Sequence, residues 1–428
     1  MAWAAGWHRW LFLTLFVAFG LRLGLALAVQ YEVSKTPGRL CLISGDAEGY
    51  WELAGKVAAG EAYSIYDPPR RLLRMPGFPA LLALPRLVFG DNPFAARLLL
   101  VVVGTLACGL TYWLGYELSG HAVGLLAAIY TAVSPTMALF SVLFLSETAF
   151  AATMLASLIA AARFLRKYEQ AAPSDPPTVG HAVAVGGLAG LATYMRPTWL
   201  LVGPGLAMLT LMTGRSPLGQ RAILAGIICL SLAVVLFPWT VRNAALTGHW
   251  IPTTLWVGPS LYDGLNPTAT GDSDMEFFEQ DRLLQSMSEY EMDREYRRRA
   301  WKFAAENPAR VISLALVKQS RYWSPAPNTP QFRHPLIHLV AWLSFAPLMI
   351  FALIGVWQAR NDPYLIILTA GPVLYFAALH LLFVGSLRYR LPAEFPLSVL
   401  AAVGMVRLFA GSRAAQHASS PSSQVLLN

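Results

Sequence analysis

The chain has 428 residues, 56% of them hydrophobic and only 13% charged, with a formal net charge of +8. Soluble proteins carry roughly 25% charged residues, so this composition excludes a cytosolic enzyme, a disordered chain and a coiled coil. The mean hydropathy of +0.49 leaves an all-α polytopic membrane protein, whose basic excess is a question of membrane sidedness rather than of nucleic acid binding.

The first apolar run, residues 10–29, follows His8 and Arg9 and ends in Ala26-Leu27-Ala28, so it mimics a signal peptide. Its length, close to the ~20 residues that span a bilayer, and Arg22 within it favour an uncleaved first helix. Two readings of Arg22 stand: it snorkels to the interface, or it pairs inside a helix bundle. Further apolar runs cover 94–116, 122–139, 143–164, two stretches of 179–212 divided at Arg196-Pro197, 222–239, 336–357, 364–384 and 391–409. About ten transmembrane helices place both termini on one side. The short connections there carry Arg163, Arg166, Lys167, Arg215, Arg221, Arg360, Arg407 and Arg413, as cytoplasmic loops should.

One transmembrane domain over 1–411 then has two external segments, 30–93 and 242–335, and a disordered cytoplasmic tail, 412–428. Both external segments predict helices. Tyr50, Leu53, Ala54 and Val57 share a face over 47–59, ended by Gly60. The run 78–89 is apolar but too short to span, so it reads as interfacial. Residues 274–306 read as a solvated helix. Asn307-Pro308 starts an amphipathic helix over 309–323 that gathers Val311, Leu314, Ala315 and Lys318 at the membrane surface.

Familiar soluble-enzyme signatures are missing. Cys41, Cys108 and Cys229 give neither a disulfide framework nor a metal signature. The eight His residues are scattered, and no phosphate-binding glycine loop or nucleophile elbow occurs. The external side instead carries cations against the sorting rule: Arg39, Arg70, Arg71, Arg74, Arg242, Lys318, Arg321, Arg333, Arg388 and Arg390. A guanidinium fork suits phosphate, so the cluster points to a phosphate-bearing lipid. Singly, each of these cations reads equally as a contact to lipid headgroups or to a nearby carboxylate. Two acids stand out. Asp46 precedes the helix over 47–59, as an N-cap or as a general base beside the membrane. Glu147 lies near the outer end of the fourth apolar run, as a functional acid or as a buried partner of an arginine such as Arg196.

These pieces occur in a recognisable order. They are Gly45-Asp46-Ala47-Glu48-Gly49-Tyr50 with Arg74-Met75-Pro76-Gly77-Phe78-Pro79, then Phe140-Ser141 through Ser146-Glu147, then Met195-Arg196-Pro197. Pro238-Trp239-Thr240-Val241-Arg242-Asn243 and Arg388-Tyr389-Arg390-Leu391-Pro392 complete them. In these stretches the chain resembles GT-C-type polytopic glycosyltransferases that use polyprenyl-phosphate sugars, in the bacterial branch near protein O-mannosyltransferases and the lipid A aminoarabinose transferase. The resemblance implies an inverting transfer from a polyprenyl-phosphate donor to a hydroxyl of a glycan, lipid or protein. The site would face outward from a bacterial inner membrane. It makes Asp46 the base, with Glu48 beside it as a second catalytic acid. Tyr50, Arg74, Glu147, Arg196, Arg242, Lys318, Arg388 and Tyr389 become substrate- or phosphate-binding candidates. A divalent metal is left open, since some relatives use one and others do not. The rival reading is a transporter or flippase for a phosphate-bearing lipid or sugar, with Arg22, Glu147 and Arg196 along its path.

Overall fold

A computed structural model describes residues 2–43, 45–170, 179–213, 216–326 and 334–418. Arg215, Arg333 and the tail residues 419–428, which carry expectations above, lie outside the described residues. Apart from one bridge between Ile65 and Arg70, regular structure among the described residues is helical. α1 (Ala2–Ser34) leads to α2 (Asp46–Ala59) and α3 (Gly77–Phe89) at the far end of a bundle. α4 (Pro93–Ser119) returns, and α5 (His121–Val133) with α6 (Pro135–Phe140) climbs back. α7 (Glu147–Gln170), α8 (Val179–Met195), a 3-10 turn over Pro197–Trp199, α9 (Val202–Met212) and α10 (Leu218–Thr247) follow. The second large segment holds α11 (Val257–Gly264), α12 (Glu276–Asp281), α13 (Glu289–Glu306) and α14 (Pro308–Trp323). α15 (Pro335–Gln358), α16 (Pro363–Thr369), α17 (Gly371–Leu379) and α18 (Leu387–Ala418) complete the chain.

Among the described residues six helices, α1, α4, α7, α10, α15 and α18, are long and apolar enough to cross a membrane. The shorter apolar helices end where the sequence places breakers. Pro135 interrupts the run 122–139, Pro197 divides 179–212, and Gly371-Pro372 splits 364–384. The first of these breaks explains Arg22. Pro135 has no N–H, so the carbonyl of Thr131 lacks its usual fourth-residue donor. Arg22 Nη2 donates to that carbonyl at 3.0 Å, and Nη1 donates to the carbonyl of Ala132 at 3.2 Å. Arg22 is fully buried, which decides its role in favour of pairing inside the bundle. Close helix crossings rest on small residues. A Cβ on Gly186 would meet the Ile228 carbonyl oxygen at 2.1 Å, and one on Gly355 the Leu400 carbonyl oxygen at 2.2 Å.

Other boundaries differ from expectation for local reasons. The stretch 274–306 is not one helix. Arg282 takes a left-handed φ of 49° after α12, and Ser288 caps α13 afresh, its Oγ accepting from the N–H of Glu291. The tail expected to be disordered from residue 412 continues α18 through Ala418. α3 behaves as an interfacial helix: Phe78 and Leu82 are buried, while Leu84, Leu87, Val88 and Phe89 are exposed. α2 lays Trp51 and Ala54 against Phe78, Leu82 and Phe144. The Glu289 carboxylate then ties the two large segments together by accepting from the N–H groups of Arg71 (2.8 Å) and Leu72 (3.0 Å).

Candidate active site

The two outstanding acids, 101 positions apart in the chain, are joined by a single arginine. Asp46 is the first residue of α2, and Gly45, at φ 89°, occupies the N-cap. The capping bond comes from Glu48, whose carboxylate accepts from the N–H of Gly45 at 3.3 Å. Asp46 is therefore not the cap of its helix. Its Oδ1 accepts from Arg74 Nη2 at 2.7 Å and its Oδ2 from Arg388 Nη1 at 2.6 Å. Burial by itself raises the Asp46 carboxyl pKa. Arg388 and Arg74 outweigh it and hold the group well below the usual carboxylate range.

Glu147 is the first residue of α7 rather than an acid in the middle of a span. The positive end of that helix favours an anion there. The side chain is fully buried, and one oxygen does all its pairing: Oε1 accepts from Arg196 Nη2 at 3.0 Å and from Arg388 Nε. Oε2 has no partner. Arg388 thus holds one acid through Nη1 and the other through Nε. Arg196 Nε also donates to Ser146 Oγ at 3.1 Å, and that hydroxyl lies 3.4 Å from the Tyr50 OH. The Arg74 guanidinium lies 4.3 Å over the Tyr50 ring, and that of Arg196 lies 5.7 Å from the Tyr389 ring centroid. Three guanidiniums face two carboxylates, which leaves one positive charge at the end of the bundle that carries α2 and α3.

Tyr50, Arg74, Glu147, Arg196, Arg388 and Tyr389 therefore converge with Asp46. Three other candidates sit elsewhere. Glu48 is exposed and engaged with Gly45. Arg242 donates to the carbonyls of Tyr63 and Arg71, both at 3.2 Å, and packs 4.4 Å over Trp239, so it clamps the first loop onto α10. Lys318 is fully buried on the face of α14 that also holds Leu314 and Tyr322. Its amine donates to the Leu382 carbonyl at 2.6 Å, and burial pushes its pKa down to about 8 against the pull of Asp263. Most other cations of that end have local partners too. Arg39 holds the Cys41 and Leu42 carbonyls, Arg321 pairs with Asp272, and Arg390 pairs with Glu394. Ser146 carries no expectation from sequence, although it directly precedes Glu147. A hydroxyl shared by Tyr50 and Arg196 becomes visible only once α2 and α8 are packed. His380, stacked on Tyr389 at 4.5 Å, is a second such residue.

The residues do not fit a metal ion. Among the described residues no three His, Cys, Asp or Glu side chains converge, and both acids of the site are engaged with arginines.

Comparison with known proteins bears on this site in part. Residues 69–239 match a family described as dolichyl-phosphate-mannose-protein mannosyltransferase. That stretch holds Arg74, Glu147 and Arg196, but neither Asp46 nor Arg388. No curated protein matches the chain. The fold is similar to that of the oligosaccharyltransferase AglB from Archaeoglobus fulgidus, solved with an inhibitory peptide and a dolichol-phosphate. That similarity has a TM-score of 0.59 at 13% identity and covers 96% of this chain and 52% of that one. The apo form of the Archaeoglobus fulgidus enzyme gives 0.56 at 14% identity over the same shares. ArnT from Cupriavidus metallidurans, bound to undecaprenyl phosphate, gives 0.42 at 14% identity, covering 94% of this chain and 77% of that one. The chain spans about half the length of the Archaeoglobus protein. The fold likeness to the Archaeoglobus oligosaccharyltransferase runs along nearly the whole of this chain.

Proposed function

We propose that the chain is an inverting membrane glycosyltransferase that moves a sugar from a polyprenyl-phosphate donor to an acceptor hydroxyl at the outer face of the membrane. The observation that carries this reading is Arg388, which engages Asp46 and Glu147 at once beside Arg74 and Arg196. An acid that can take a proton thus stands among cations suited to a phosphate. The family match over 69–239 and a shared fold with a protein solved with dolichol-phosphate support a lipid-phosphate donor. The concentration of paired charge at one end of the bundle favours transfer over transport.

In the proposed step the acceptor oxygen attacks the anomeric carbon from the face opposite the phosphate and forms the new glycosidic bond. The bond from that carbon to the phosphate oxygen breaks, and its electron pair stays on the phosphate. The acceptor's proton passes to Asp46. Arg74 and Arg388 stabilise the charge that grows on the departing phosphate, which is already a good leaving group and needs no general acid. Glu147 is a positioning residue that fixes the planes of Arg388 and Arg196. Tyr50 and Tyr389 hold Arg74 and Arg196 in place by stacking.

The test is transfer from a labelled donor lipid in membranes containing Asp46→Asn. Loss of a general base lowers the rate by about 100-fold or more. Full transfer at normal expression sinks the base role.

A further inference from the structure

The base of the proposed reaction is tied up in this structure by the very groups the reaction would use. Both Asp46 oxygens are occupied, one by Arg74 and one by Arg388, and each of those contacts is a short charge-assisted bond. A carboxylate spanning two guanidiniums in this way presents its two oxygens much as a phosphodiester presents its two non-bridging oxygens.

Three observations say which acid is replaceable. The Glu147 side chain is 0% exposed and is held by two arginines, whereas that of Asp46 is 42% exposed. Asp46 accepts no bond from the amides of its own helix, since Glu48 does the capping. Its hold is only the two arginines. Arg74 also keeps a buried Nε with no hydrogen-bond partner, so its fork is half used. A larger tetrahedral anion could engage both Nε and Nη2. The single positive charge left over by three guanidiniums and two carboxylates matches the single negative charge of a phosphodiester.

We infer that Asp46 is a stand-in anion. The donor's phosphodiester displaces its carboxylate from Arg74 and Arg388 and so frees it as the base. This rests on the reading that the arginines receive the donor phosphate. Glu147 keeps Arg388 anchored through Nε during the exchange, so the guanidinium turns from one anion to the other without losing its place. Before the donor arrives, Asp46 is a weak base and an acceptor hydroxyl is not activated. Donor binding therefore precedes productive acceptor binding.

The experiment is equilibrium binding of decaprenyl phosphate to the purified full-length chain in detergent. It compares the wild type with Asp46→Ala, Asp46→Asn, Arg74→Gln and Arg388→Gln. Glu52→Gln serves as the charge control, since Glu52 is an exposed acid on the same helix that pairs with Lys56. A single cooperative thermal unfolding transition confirms that each variant is folded. Both Asp46 variants should bind the lipid phosphate about fivefold to tenfold tighter, the sum of two partly exposed ion pairs that no longer compete. Glu52→Gln should stay within about twofold, and both arginine variants should bind more weakly. Affinity that is equal or lower in the Asp46 variants, with weaker binding in the arginine variants, overturns the exchange but leaves the phosphate reading standing. An equal gain in Glu52→Gln also overturns it, because bulk charge would then suffice. Unchanged affinity in both arginine variants overturns the phosphate reading itself, and the exchange with it.

Discussion

Glu147→Gln separates charge from shape at the centre of this site. Gln keeps an acceptor where Oε1 receives Arg196 and Arg388, and its amide nitrogen falls where Oε2 has no partner. The contacts can persist while the counter-charge is lost. Removing one partner from a buried ion pair costs about 3–5 kcal/mol. Here the acid is fully buried, but the side chains of Arg196 and Arg388 are 14% and 22% exposed. Water can therefore take up part of their charge, which puts the expectation at the low end, about 3 kcal/mol. The assay is denaturant unfolding of the purified chain in detergent, run as a cycle with Arg388→Gln. The two residues touch, so the double variant should be less destabilised than the sum of the singles by at least ~1 kcal/mol. Wild-type stability in Glu147→Gln, or strict additivity in the cycle, would refute the claim that this carboxylate fixes the arginines.

Two further outcomes follow from buried groups away from Asp46. Arg22→Met leaves the Thr131 carbonyl without a replacement for the donor that Pro135 lacks, and the Ala132 carbonyl without its bond from Arg22. At about 1–3 kcal/mol for each of the two orphaned groups, the variant should lose ~2–6 kcal/mol in the same unfolding assay, and an unchanged midpoint would sink the account. Lys318 has its pKa lowered on folding to about 8, by burial first, with Asp263 opposing. A lowered amine pKa penalises the folded state below that value, and the penalty fades as pH rises through it towards the ordinary lysine range. Stability should therefore rise between about pH 8 and 10, by up to ~3 kcal/mol. Lys318→Met should flatten that rise, and a profile that keeps it would assign it to another group.

The sequence alone determined the all-α membrane class and where the long apolar helices lie. Apolar length and proline placement are local properties, so the division at Pro197 was legible, whereas Pro135 divides a stretch that reads as one apolar run. It also marked Asp46, Arg74, Glu147, Arg196 and Arg388 as unusual, because a charge in or beside an apolar run needs a reason. What it left open was which cation serves which acid. From sequence, Arg242 and Lys318 looked as suited to a phosphate as Arg74 and Arg388. Packing gave the first pair to loop carbonyls and the second to carboxylates. Likewise Asp46 looked like a helix cap until Gly45 was found at the N-cap, with Glu48 accepting from its N–H. A guanidinium takes whichever acceptor lies within about 3 Å. Between residues as far apart in sequence as Asp46 and Arg388, that distance is set by how α2 and α18 meet. Composition could mark charges as costly near a membrane, and only the tertiary structure decided which of them gather around Asp46 and Glu147.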